Sequence, residues 1–167
     1  VGKLSAQDNL QYTPHDSLYV KHLIADGYKL EKLELQITKM REALQLSQQI
    51  GFQNGAVTAL SALIQLHQSK KEEIEALRYC FILIPILEKT NTSLAIPYYI
   101  ICGNLLVKEK VPEKAILYYE KAYQLNKDLT VLTQLINTAI ASNNFTTALT
   151  YCKLKEEQVT LPIDKVS

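Results

Sequence analysis

The chain has 167 residues, 47% hydrophobic and 21% charged, which excludes intrinsic disorder and allows one domain or one repeat array with a real core. Lys and Arg number 18 against 17 Asp and Glu, so no strong field favours nucleic acid or an anionic membrane. Five Gly and five Pro are too few for a turn-rich β protein, and no apolar run approaches the ~20 residues of a membrane span.

Residues 1–15 read as a flexible segment, polar over Asp8 to Thr13, with Asp16 or Ser17 the capping candidate after Pro14. Leu18, Leu23, Ile24 and Leu30 supply the apolar face of a first helix. Leu35, Ile37, Met40, Ala43, Leu44 and Leu46 recur at helical spacing in a second. Gly51 suits the left-handed residue that closes it, and Asn54-Gly55 opens a third with Val57, Leu60, Leu63, Ile64 and Leu66.

A polar turn over Ser69 to Glu73 precedes a fourth helix with Ile74, Ala76, Leu77, Cys80, Phe81, Leu83, Ile84 and Leu87. Asn91-Thr92-Ser93 can cap a fifth carrying Tyr98, Tyr99, Ile101, Cys102, Leu105 and Leu106. Pro112 stands in the permitted first turn of a sixth, packed through Ala115, Ile116, Tyr119, Ala122 and Leu125. Val131, Leu132, Leu135, Ile136 and Ala139 mark a seventh. Beyond the Asn143-Asn144 turn, Phe145, Ala148, Leu149, Cys152 and Leu154 mark an eighth. Eight helices with short polar connections make four antiparallel pairs.

One motif recurs in these helices: Ala76-Leu77 with Tyr79-Cys80, Ala115-Ile116 with Tyr118-Tyr119, and Ala148-Leu149 with Tyr151-Cys152. The spacings are 39 (115−76) and 33 (148−115) residues, the self-similarity of a solenoid whose units bury their apolar faces only by stacking.

Tyr99 to Asn126 resembles a tetratricopeptide repeat, with Gly103, Ala115, Tyr119 and Ala122 in the register of that family's close-approach glycine, crossing alanine, aromatic and second alanine. Leu60, Leu63 and Ala76 place a second repeat, and Leu132, Leu135, Phe145 and Ala148 another. In these two, Ile64 and Ile136 replace the glycine, and Leu83 and Lys155 replace the second alanine. The first pair departs most, with Ala43 in register but Gln36 where the crossing alanine belongs. The resemblance implies an all-α, right-handed superhelical solenoid of about four helix pairs over residues 16–158, with 159–167 a tail or the start of a further element.

The spacings of 39 residues and of 40 (Leu83 from Ala43) exceed the family's usual ~34. The long joint over Ile50 to Gly55, with Asp16-Ser17-Leu18 before the first helix, is similar to the N-terminal sensing regions of Bacteroidetes sensor histidine kinases and related regulators. Leu4-Ser5-Ala6-Gln7 resembles the small-residue end of a secretory signal. The resemblance implies a non-catalytic, periplasmic binding module of a two-component receptor, any kinase activity lying outside this chain. A cytoplasmic scaffold or peptide-responsive regulator is the alternative.

The residues themselves offer little other chemistry. His15, His22 and His67 have no second ligand at metal-site spacing, and His67 reads as a half-buried structural imidazole. Cys80, Cys102 and Cys152 lack CxxC pairing and read as buried free thiols. Lys70-Lys71-Glu72-Glu73 reads as a solvated turn, and at least one Tyr of Tyr98-Tyr99 and of Tyr118-Tyr119 belongs to the core. No cofactor, no metal and no catalytic residue is expected.

Projecting the repeat phase onto the concave side, which the first helix of each pair lines, selects Lys21, Tyr28 and Lys29, then Thr58, Ser61, Gln65 and Gln68, then Ile100, Asn104 and Lys108, then Thr133 and Asn137. Amides and hydroxyls of this kind suit the backbone of an extended peptide or protein segment. Asn104 and Asn137 hold equivalent places and resemble the family's peptide-clamping asparagines. Ile100 and Thr133 stand where a carboxylate clamp would need Lys. The expected partner is a peptide or protein, with a homodimer contact left open, and neither nucleic acid nor membrane insertion.

Overall fold

The computed structural model describes residues 14–160. The fold is all-α, a helical-repeat array: α1 (Pro14–Lys29), α2 (Leu33–Gln49), α3 (Gln53–Ser69), α4 (Glu73–Thr90), a 3-10 turn (Thr92–Ala95), α5 (Ile96–Lys108), α6 (Pro112–Asn126), α7 (Leu129–Ala141) and α8 (Phe145–Thr160). No strand occurs among the described residues. The expected boundaries shift slightly. α1 begins at Pro14, so Asp16 is no cap and instead sets its carboxylate in the first turn, at the positive end of the helix dipole. α8 runs on to Thr160, past 158. The readings for Leu4 to Gln7, for Asp8 to Thr13 and for 161–167 lie outside the described residues.

The chain divides into two compact units at Leu66/His67. In the first, Val20, Leu23 and Ile24 of α1 and Ile37, Met40, Ala43 and Leu44 of α2 are buried. The close approach of this pair is made at Gly27. A Cβ there would stand 2.8 Å from the Met40 methyl and 3.1 Å from Lys39 Cβ. The sequence reading sought an alanine at Gln36 and missed this glycine.

The second unit is built on Leu77, Tyr79, Cys80 and Leu83 of α4, Tyr99, Cys102 and Leu105 of α5, Ala115, Ile116, Tyr119 and Tyr123 of α6, and Leu132, Leu135 and Ala139 of α7. Gly103 lies against the Tyr119 ring, where a Cβ would come within 2.5 Å of Cε1. The glycine–aromatic register expected for α5 and α6 is thus met. Tyr99 and Tyr119 are the core members of their pairs.

The repeat is written most plainly in the turns. Lys71, Lys110 and Asn143 have positive φ of 60°, 59° and 58°, each five residues before the motif alanine. At each the same two bonds close the helix: Lys71 N to Gln68 O and Glu72 N to His67 O, Lys110 N to Val107 O and Val111 N to Leu106 O, Asn143 N to Ile140 O and Asn144 N to Ala139 O. This is the paired bonding that satisfies the orphan carbonyls of a helix end. Gly51, with φ of 67°, closes α2 as expected and does so without the steric cost that a Cβ carries in this region.

Several residues expected on packed faces are exposed: Leu18, Leu35, Ile74, Phe81, Leu125, Phe145 and Leu149. Helical spacing places them near an apolar stripe, but a face is buried only where another helix lies on it. Val20 and Tyr123, which are not among the expected apolar faces, are buried. Cys80 and Cys102 are buried as expected, and burial pushes both thiols up to about 12. Cys152 is only half-buried.

Candidate functional site

In the first unit, α1 and α3 flank a shallow groove of about 320 Å³. Ile24, Ala25 and the Phe52 ring supply apolar surface, and Lys21, Tyr28, Asn54 and Thr58 supply the polar groups. Lys21 Nζ stands 5.8 Å from the Phe52 ring centre, an arrangement that attracts a cation to a π face. No carboxylate pairs with Lys21 among the described residues. Tyr28 is exposed. Lys29 is turned away into an ion pair with Asp26 at 3.0 Å, and that hydrogen bond holds the Asp26 carboxyl below its ordinary range. Thr58 and Ser61 donate their hydroxyls to Asn54 O and Val57 O on their own helix, each at 2.8 Å. What they offer a ligand is therefore an acceptor oxygen. Gln65 is exposed on the same helix.

In the second unit, α7 and α8 flank a groove of about 350 Å³ in which Thr133 and Asn137 stand beside Ile136, Cys152 and Lys155. Asn137 is exposed. Thr133 Oγ1 donates to Leu129 O at 2.7 Å and accepts from Lys155 Nζ at 2.8 Å. Asn104 is committed inward: its Oδ1 accepts from the buried Tyr119 hydroxyl at 2.7 Å. Its equivalence to Asn137 in sequence is therefore not an equivalence in role. Lys108 reaches Glu73 at 3.4 Å, Gln68 is half-buried in the last turn of α3, and Ile100 is half-buried on α5.

The structure thus gathers Lys21, Tyr28 and Thr58 in one groove and Thr133 with Asn137 in another. It spends Lys29, Asn104 and Lys108 on contacts within the fold. Sequence reasoning missed Phe52 and Asn54, because it assigned the Ile50 to Gly55 stretch to a joint. It missed Lys155 because that residue was noted only as a replacement for alanine.

No group of three metal-ligating side chains occurs among the described residues. One ionisable cluster joins α4, α5 and α6. Tyr99 donates to Glu88 at 2.5 Å, and Lys121 reaches Glu88 at 2.9 Å while lying 5.4 Å from the Tyr99 ring centre. These contacts, Tyr99 first, hold the Glu88 carboxyl below its usual range, while burial and Glu88 push the Tyr99 phenol well above its own. His67 is fully rather than half-buried. Its Nδ1 bonds Glu72 at 2.6 Å, its ring stacks on Tyr79 with centroids 5.5 Å apart, and Nε2 has no partner. The ring is thereby held in place as part of the α3–α4 turn.

No helix among the described residues is long and apolar enough to cross a membrane. No family model matches the chain, and no curated protein matches it. Among solved structures it is similar to BtubC (BKLC) from P. vanneervenii, at 12% identity and a TM-score of 0.69, over 95% of this chain and 72% of that one. At that identity the likeness concerns the fold alone.

Proposed function

We propose that this chain is a non-catalytic tetratricopeptide-type binding module that takes an extended peptide or protein segment along the first helices of its pairs. The observation that carries this reading is the α1/α3 groove. Its apolar floor lies beside a lysine that pairs with no carboxylate among the described residues, a tyrosine and an asparagine. Such a surface holds an apolar side chain and bonds the backbone on either side of it. Asn137, exposed beside Ile136, repeats that chemistry in the second unit.

The same reading makes the module the periplasmic sensing region of a two-component receptor. The long joint over Ile50 to Gly55 and the signal-like Leu4 to Gln7 support it. A cytoplasmic regulator is the second reading, favoured by three free cysteines, since unpaired thiols suit a reducing compartment. Fusing alkaline phosphatase to the full-length gene product after this segment separates the two, because that enzyme is active only when exported.

Binding itself is tested with peptides selected from a random phage-displayed library and titrated calorimetrically. Asn137→Ala and Tyr28→Ala are each expected to weaken the selected peptides by roughly 2- to 13-fold, the worth of one hydrogen bond. Selected peptides that bind both variants as tightly as the parent would move the site off these grooves.

A further inference from the structure

We propose that the hollow between α4 and α6 is a docking site for an acidic peptide segment, which lays one aromatic side chain, flanked by carboxylates, against these two helices. The hollow measures about 370 Å³ and is lined by Phe81 of α4 and by Lys114, Leu117, Tyr118 and Lys121 of α6. Its floor is aromatic. The Phe81 and Tyr118 rings stack with centroids 6.2 Å apart, and the Tyr99 ring lies 6.3 Å from Tyr118. Phe81 is 46% and Leu117 58% exposed. Counted from the motif alanines, this apolar surface belongs to one repeat and not to the fold in general. Where Phe81 stands, the next two repeats have Glu120 and Lys153, and where Leu117 stands, the others have Arg78 and Thr150. One repeat on, Tyr151 of α8 donates to Glu120 of α6 at 3.1 Å. A polar bond thus joins the positions that Tyr118 and Phe81 leave as open apolar surface.

The charges state the chemistry of the occupant. Lys114 stands where the other repeats carry Glu75 and Thr147, and Lys121 where they carry Ile82 and Leu154. Two turns separate the lysines, ~10 Å along α6, with Leu117 and Tyr118 between them. Lys114 is exposed and pairs with no carboxylate among the described residues. Lys121 is held by Glu88 at 2.9 Å, yet its side chain stays 52% exposed, and an ammonium has three donors to offer. Glu75 is spent on Arg78 and Glu120 on Tyr151, and Glu113 does not line the hollow. An apolar floor between two cations fits an apolar group between two anions. An extended segment sets alternate side chains on one face, so carboxylates two residues before and after an aromatic ring stand about 13 Å apart. Both lysines reach such carboxylates on their flexible stems while the ring packs on Phe81 and Tyr118. The lining residues all come from the second helices of their pairs, so this inference does not depend on what the α1/α3 groove binds.

The probe is the peptide Glu-Ala-Phe-Ala-Glu, acetylated and amidated, titrated into the isotope-labelled 167-residue chain and followed by amide chemical shifts, which report weak binding. Saturable shifts are expected at Phe81, Leu117 and Tyr118. Gln-Ala-Phe-Ala-Gln should bind roughly 2- to 30-fold more weakly, the worth of two exposed ion pairs. Glu-Ala-Ala-Ala-Glu, which lacks the ring, should bind roughly 10-fold more weakly or worse. In the protein, Phe81→Glu and Lys114→Thr install residues that equivalent positions of this fold already carry, at Glu120 and Thr147. The first is expected to weaken the parent peptide roughly 10-fold or more, the second about 2- to 5-fold. The peptide series on the unaltered chain decides the matter if Phe81→Glu loses its thermal midpoint. Absence of saturable shifts, equal affinity for the glutamine peptide, or shifts confined to Tyr28 and Asn137 overturns the proposal. A concentration-dependent dimer in sedimentation, lost in Phe81→Glu while the peptide fails to bind, also overturns it and gives the hollow to a second copy of the chain.

Discussion

Gly103→Ala probes the closest approach in the second unit. The new methyl would stand 2.5 Å from Tyr119 Cε1, 2.8 Å from Cζ and 2.9 Å from Cδ1. Ordinary carbon contacts lie near 3.5 Å, so the ring must retreat by about 1 Å. It has little room, being 2% exposed, and its hydroxyl is tied to Asn104 at 2.7 Å. Overpacking of this kind costs ~1–3 kcal/mol, and stretching the hydroxyl bond adds ~1 kcal/mol. Replacing glycine by alanine inside a helix returns ~1 kcal/mol. The net is a loss of roughly 1–3 kcal/mol, a drop of about 0.5–1.5 M in urea midpoint at a slope of ~2 kcal/mol/M. Urea titration followed by far-ultraviolet circular dichroism reads this directly. Repeating it in a Tyr119→Leu background, where the ring is gone, should turn the same substitution neutral or stabilising, and the difference between backgrounds is the coupling energy. A Gly103→Ala variant as stable as its parent with Tyr119 in place would refute the close-packed α5/α6 crossing.

Other substitutions follow from the same geometry. Ala115→Leu, at a position with no exposure, is expected to cost ~1–3 kcal/mol by overpacking, read as a fall in thermal midpoint. Asn104→Ala should cost ~1–3 kcal/mol by leaving the buried Tyr119 hydroxyl without its acceptor, and most of that loss should vanish in a Tyr119→Phe background. Because Glu88 ionises below the ordinary range in the fold, its contribution is present above the unfolded carboxyl's value and is lost as pH falls through the folded one. Glu88→Gln should therefore flatten the acid limb of urea midpoints measured from pH 7 to pH 3. Cys80 and Cys102, with thiols pushed up to about 12, should resist a disulfide reagent at pH 8 until urea unfolds the chain, while the half-buried Cys152 reacts in the native protein.

Helix number, helix phase and the motif positions Gly103, Ala115, Tyr119 and Ala122 were legible in the sequence. They rest on local periodicity: an apolar stripe at 3.6 residues, a small residue at a crossing, a proline in a first turn. Gly51 was legible for the same reason, since a left-handed residue at a helix end favours glycine. The turns over Ser69 to Glu73 and at Asn143-Asn144 were legible as turns, but the positive φ of Lys71 and Lys110 was not, because a lysine bears no mark of it and only the capping bonds of the folded chain hold it there. The groove residues divide in the same way. Helical phase put Tyr28 and Asn137 on an outward face, but it could not tell that Asn104 turns to Tyr119 or that Lys29 turns to Asp26. Leu77, Ile116 and Leu149 are alike in sequence and differ tenfold or so in exposure. Periodicity determines which side of a helix is apolar, a property of the helix alone. Whether that side is core or surface depends on whether another helix lies across it, and only the tertiary structure decides that.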